Sequence, residues 1–329
     1  MDEYTLPAHD GVQLHCRRWL VEDGPSRAGV VVVHGLGEHS GRYDMLARHL
    51  SSGGFQVYAF DTRGHGLTAG TPEALGILPE ESGWNDWIED INTVIDHARS
   101  DLRGQPIFLL GHSLGSLMCQ YYAALHGERI DGLVLSATDS RPGIGTRITH
   151  WGGTLFKALH GRDRRSGLMY ALGIGNMKRS LPERRTDQDW LTRDESIVDA
   201  YLADPLCGFQ PSNGMWHAIA EGMEQISNRL RGQIPPDLPV LMLVGTDDLL
   251  SLGGQRVHDL MQAYQEHGAR HVTLISYPEA RHEVFNEINR DDVYRDLTHW
   301  FEEQLVAARH IANRPEPDAP VSPGEAPAH

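Results

Sequence analysis

Short apolar runs alternate along the chain with stretches in which apolar residues recur every three or four positions. Residues 30–34 (VVVVH) form a continuous β-branched run, which suits a strand buried on both faces. The other predicted strands are residues 12–20 (VQLHCRRWL), 55–61 (FQVYAFD), 107–111 (IFLLG), 130–137 (IDGLVLSA), 239–245 (PVLMLVG) and 271–277 (HVTLISY). Trp84, Trp87, Ile88, Ile91, Val94, Ile95, Ala98 and Leu102 fall at helical spacing and predict one amphipathic helix over 84–102. Further helices are expected around 43–51, 117–126, 254–267 and 292–308. This alternation implies an α/β fold, with a mostly parallel central sheet and helices on both faces.

Residues 138–236 interrupt the pattern with helical-looking stretches, many glycines and no clear strand. Roughly a hundred residues between two sheet strands exceed an ordinary loop, so this stretch is expected to be a helical cap insertion. The core is then built from residues 1–137 and 237–312. Residues 313–329 (NRPEPDAPVSPGEAPAH) have nothing to bury, and a disordered tail is expected there.

The chain has 329 residues, 40% hydrophobic and 22% charged, which fits a soluble globular protein. A net charge of −16 repels phosphate backbones and argues against nucleic acid as a partner. The first residues, MDEYTLPAHDG, lack the basic and apolar regions of a signal peptide, and no apolar run reaches membrane-spanning length. The expected location is cytoplasmic. Cys16, Cys119 and Cys207 show no metal-ligand spacing and read as reduced packing residues.

Gly111-His112-Ser113-Leu114-Gly115 fits the G-x-S-x-G turn that lifts a serine hydroxyl above a sheet. The motif directly follows a predicted strand and opens a predicted helix, which is the context its chemistry needs. Ser113 is therefore the candidate nucleophile. A serine hydroxyl needs a base, itself oriented by an acid. His282 follows the last predicted strand and is the candidate base, while His34, Gly35 and His112 are expected to support the site. For the acid, the loop Thr246-Asp247-Asp248 offers two aspartates, with loop position favouring Asp248. Asp139 is a third candidate. The oxyanion of acyl transfer needs two backbone N–H donors. Leu114, after the nucleophile, is one; Leu36, between Gly35 and Gly37, is the other. The segment 61–66 (DTRGHG), with Arg63, reads as a brace for the site.

Together, HGLGEHSGRY (34–43), DTRGHG (61–66), GHSLGS (111–116), GTDDLL (245–250) and YPEARHEVFNE (277–287) resemble the monoacylglycerol lipase and lysophospholipase-like hydrolases. That group is also called the serine aminopeptidase group. The resemblance implies an α/β-hydrolase fold, Ser113, Asp248 and His282 as catalytic triad, and Leu36 with Leu114 as oxyanion hole. It resolves the choice between Asp247 and Asp248 in favour of the second. Family members often carry smaller residues at the Leu36 position, and Met or a small residue at Leu114. The region 138–236 does not match closely, which leaves the substrate open.

The expected reaction is ester hydrolysis through an acyl-enzyme, without metal or organic cofactor, on a small-molecule acyl ester such as a monoacylglycerol or lysophospholipid. Rival readings on the same triad are an acyltransferase and an amidase or aminopeptidase; a non-catalytic ligand receptor is a third. Residues 141–185 carry ten Arg or Lys against Asp163 and Glu183. A weak peripheral contact with an anionic lipid surface is one expectation from that charge, and a solvated basic face is the other.

Overall fold

The computed structural model describes residues 1–22, 24–139, 161–171, 181, 183–229 and 233–312. The elements run β1 (Asp2–Pro7), β2 (Gln13–Trp19), β3 (Ala28–Val33), α1 (Asp44–Ser52), β4 (Phe55–Phe60), α2 (Trp84–Leu102), β5 (Ile107–His112), α3 (Leu114–His126) and β6 (Gly132–Ser136). After β6 come a short α4 (Gly167–Tyr170), α5 (Glu195–Ala203) and α6 (Asn213–Arg229). The chain then returns to the sheet with β7 (Val240–Gly245), α7 (Gln255–Glu266), β8 (Val272–Tyr277) and α8 (Arg290–Ala312).

Eight strands form one sheet in the order β1-β2-β4-β3-β5-β6-β7-β8. Pairing is parallel from β4 through β8, whereas β1–β2 and β2–β4 are antiparallel. Side chains alternate between the two faces, as the period of a strand requires. Val31, Val33, Ile107, Leu109, Val240 and Met242 join the core under α2, α3 and α7. Val30, Val32, Phe108, Leu110, Leu241 and Leu243 join the other core, closed by α1 and α8. Both faces of the sheet are thus covered, as the apolar runs demand.

Strand β1 was not legible in the pattern. DEYTLP is polar because β1 is an edge strand paired only with β2, and each of its side chains is exposed or half-buried. Helix α3 begins at Leu114, earlier than the apolar stretch suggested, because the strand-to-helix turn at Ser113 leaves no loop. Of the basic stretch 141–185, residues 141–160, 172–180 and 182 lie outside the described residues, as does the tail 313–329.

Candidate active site

The site gathers at the carboxyl ends of β3, β5, β7 and β8, where parallel sheets present their loops. Ser113 joins β5 to α3 with φ 51° and ψ −117°. That conformation is rare for a residue with a side chain, and its strain marks a constrained turn. The flanking glycines let the turn close. A Cβ on Gly111 would come 2.5 Å from the Gly115 carbonyl oxygen, and one on Gly115 would come 2.2 Å from that of Val33.

His282, after β8, lies between two partners. Its Nδ1 is 3.0 Å from Asp248 Oδ1, and its Nε2 is 3.0 Å from Ser113 Oγ. A carboxylate accepting at Nδ1 fixes the tautomer in which Nε2 presents a lone pair to the serine hydroxyl. Asp248 is wholly buried, and its Oδ1 also accepts from the Leu250 N–H at 2.9 Å. Burial works against a charged imidazole, yet the Asp248 carboxylate outweighs it and raises the His282 pKa above the ordinary 6.5. Burial likewise opposes ionisation of Asp248, and the facing His282 holds its pKa below the usual carboxylate range.

The two other candidate acids point elsewhere. The Asp247 side chain is exposed, while Asp139 accepts from Arg256 Nη1 at 2.5 Å. Leu36 and Leu114 both line the cavity at Ser113, and neither N–H meets a protein acceptor among the described residues. The Gly35 N–H, by contrast, is taken by Glu38 Oε1 at 2.6 Å.

His34 and His112 are both buried. The His34 Nε2 accepts from the Thr62 N–H at 3.0 Å, and its Nδ1 lies 2.7 Å from the Gly35 carbonyl oxygen. Burial lowers its pKa, and burial with the nearby His282 brings His112 down to about 4. Arg63 is fully buried away from the cavity. Its Nε and Nη2 grip both oxygens of Asp90 at 2.8 Å, and Nη2 reaches Asp10 at 2.9 Å. It braces the 61–66 loop.

Sequence reasoning assigned no role to four residues that belong here. Arg42 donates to Glu38 at 2.8 Å and to both oxygens of Glu283 at 2.6 Å. Burial opposes the charge on Glu38, but Arg42 beside it brings its pKa down to about 2. The fourth is Trp190, whose ring centroid lies 5.1 Å from that of His282. Glu38, Arg42 and Glu283 all lie within the family-like segments 34–43 and 277–287, and Glu283 also adjoins His282, whereas nothing local pointed to Trp190.

A cavity of about 340 Å³ opens at Ser113. Leu117, Phe209, Trp216, Ile219 and Met223 form its apolar wall, and Asp139, Gln188 and Arg256 its polar part. Four of those apolar residues, all but Leu117, come from the excursion between β6 and β7 through α6 or its approach. In the same excursion, among the described residues, Arg162 and Arg165 donate to backbone carbonyls of Pro79, Ser82, Glu73 and Leu75 rather than to acidic side chains.

Two clusters bring possible metal ligands together among the described residues: His39, Asp204 and Cys207, and His9, Asp10 and Asp86. His39 Nδ1 accepts from the Gly41 N–H at 3.1 Å, which leaves the proton on the Nε2 facing Asp204. Both Asp10 oxygens are engaged by Arg63.

The family profile described as "Serine aminopeptidase, S33" matches residues 24–289. The chain belongs to this family. Among its relatives is a monoacylglycerol lipase of Mycolicibacterium smegmatis, 29% identical, with 92% of this chain and 98% of that protein covered. The monoglyceride lipase of Homo sapiens is 30% identical, over 85% of this chain and 86% of the relative. A solved structure, the highly thermostable carboxyl esterase from Bacillus coagulans in complex with glycerol, superposes with a TM-score of 0.85. It is 26% identical, covering 92% of this chain and 98% of the esterase. The protein is thus an α/β hydrolase of the monoacylglycerol lipase-like type. No helix among the described residues of this family member is long and apolar enough to cross a membrane.

Proposed function

We propose that the protein hydrolyses lipid esters carrying a single acyl chain, such as monoacylglycerols or lysophospholipids, through a Ser113 acyl-enzyme. The observation that carries this reading is the His282 ring, within 3.0 Å of Asp248 on one nitrogen and of Ser113 on the other. His282 takes the proton of Ser113 as Oγ attacks the ester carbonyl; the developing oxyanion meets the Leu36 and Leu114 N–H groups. The resulting imidazolium is stabilised by Asp248 and protonates the departing alcohol. Water, activated by the same His282, then releases the fatty acid. The apolar wall of Leu117, Trp216 and Met223 suits an acyl chain, and the cavity volume falls in the range of small-molecule sites. In this reading the β6–β7 excursion acts as a cap over the core.

The test is a panel of monoacylglycerols, lysophospholipids, amides and short esters, with covalent labelling by a fluorophosphonate. Turnover of single-acyl esters, lost together with labelling in Ser113→Ala, is expected. An Ser113→Ala variant that keeps turnover, or a preference for amides, would overturn the proposal.

A further inference from the structure

We propose that Trp190 is a positioning residue, contributed by the β6–β7 excursion, that holds the His282 ring with Nε2 facing Ser113. The assignment rests on the catalytic reading of Ser113 and His282. An imidazole pinned at Nδ1 alone can still swing about that hydrogen bond. His282 has two aromatic neighbours that limit such motion. The His112 ring lies 4.9 Å away and the Trp190 ring 5.1 Å away, tilted by 39°.

The contact is held in register by the backbone. Residues on either side of Trp190 are bonded to residues on either side of His282. The Glu283 N–H donates to the Leu191 carbonyl at 2.7 Å. Arg281 Nη1 donates to the carbonyls of Asp189 at 2.6 Å and Thr192 at 3.2 Å. The indole is in turn fixed, since its Nε1–H donates to Gln188 Oε1 at 3.2 Å. Trp190 also packs in a small cluster of its own with Leu191 and Tyr201, against Leu249 and Leu250. Those two leucines directly follow Asp248, so the cluster that holds Trp190 beside the base also packs against the acid loop.

Two physical consequences follow. A rigid ring beside the imidazole removes orientations from which Nε2 cannot reach Ser113, which lowers the entropy lost at the moment of attack. The indole also favours the imidazolium formed in that step over the neutral ring. Both act on the reacting state, so loss of the ring falls on kcat more than on KM.

The experiment compares Trp190→Ala, Trp190→Leu and Trp190→Phe on a short water-soluble ester. The alanine and leucine variants are expected to lose about tenfold or more in kcat, and phenylalanine to restore most of it. Leucine rescuing as well as phenylalanine would reduce Trp190 to packing and overturn the proposal, as would an alanine variant with full turnover. A second readout does not depend on the alanine variant folding. Protonated imidazole quenches a neighbouring indole, so the fluorescence difference between wild type and Trp190→Phe should titrate with pH. That titration should vanish in His282→Gln; its persistence there would show that another group is read and would overturn the assignment. Silent Ser113→Ala beside fully active Trp190→Ala rejects only the role of Trp190. Active Ser113→Ala rejects the catalytic reading itself.

Discussion

Two arginines, Arg63 wholly buried and Arg42 half-buried, each stand between two carboxylates and do different work. Arg63 ties Asp90 to Asp10 and to Ser82, and none of these four residues lines the cavity. Arg42 ties Glu38 to Glu283, and both of those carboxylates line it. Glu38 also holds the Gly35 N–H, one residue before the proposed oxyanion donor, and Glu283 follows the proposed base. Withdrawing an arginine from water beside a buried acid costs desolvation in both places. At Arg63 the return is a rigid loop. At Arg42 it is a fixed distance between the oxyanion loop and the histidine loop. The excursion reinforces that second cluster: Tyr201 sits 4.8 Å under the Arg42 guanidinium and donates to the Gly37 carbonyl at 2.9 Å.

The comparison makes turnover and stability separable. The scale for lost turnover is set by Asp248→Asn, expected to lower kcat by about 10⁴-fold while Asp247→Asn stays near wild type. Steady-state kinetics on a soluble ester checks both, and equal losses would break the assignment of the acid. Arg63→Ala leaves the wholly buried Asp90 carboxylate without its cation and should cost about 3–5 kcal/mol in denaturant unfolding, with kcat of the folded protein little changed. Arg42→Ala should lower stability too, but it also frees the two site loops. A misplacement of about 1 Å there is worth on the order of a hundredfold in kcat. If the two arginine variants showed the same ratio of turnover loss to stability loss, the distinction between brace and tether would fail.

Smaller effects sharpen the picture further. The base must be neutral, so kcat/KM is lost as pH falls through the His282 pKa. Because Asp248 raises that pKa above 6.5, the acid limb should have its midpoint above 6.5 and move to lower pH in Asp248→Asn. A wild-type limb below 6.5 would contradict the electrostatic account. The smallest change is expected from Arg162→Gln with Arg165→Gln. Each loses hydrogen bonds to core carbonyls at the surface, costing about 1 kcal/mol in a melting experiment, with turnover of a short ester unaffected.

Much of the fold was legible because strand and helix periods are local properties. The continuous apolar runs of β3, β5 and β7 need no knowledge of partners, and the helix over 84–102 announces itself through eight apolar positions that are all buried in the structure. The elbow at Ser113 was legible because its glycines and serine stand together in one short motif directly after an apolar run. Edge strand β1 was not, because an exposed strand carries no apolar pattern.

What the sequence determined by itself is therefore the α/β layering, the place of Ser113 at a strand-to-helix junction, and a short set of acids and bases on the following loops. Tertiary structure decided which of them meet. Asp248 and Asp247 are adjacent in the chain, yet one is wholly buried against His282 and the other faces solvent. Asp139 ends a neighbouring strand but is taken up by Arg256. Arg42 reaches Glu283 across 241 positions, and Trp190 reaches His282 from within the excursion. Hydrogen bonds and ring contacts depend on ångström-scale separations between distant segments, and no local period encodes those distances.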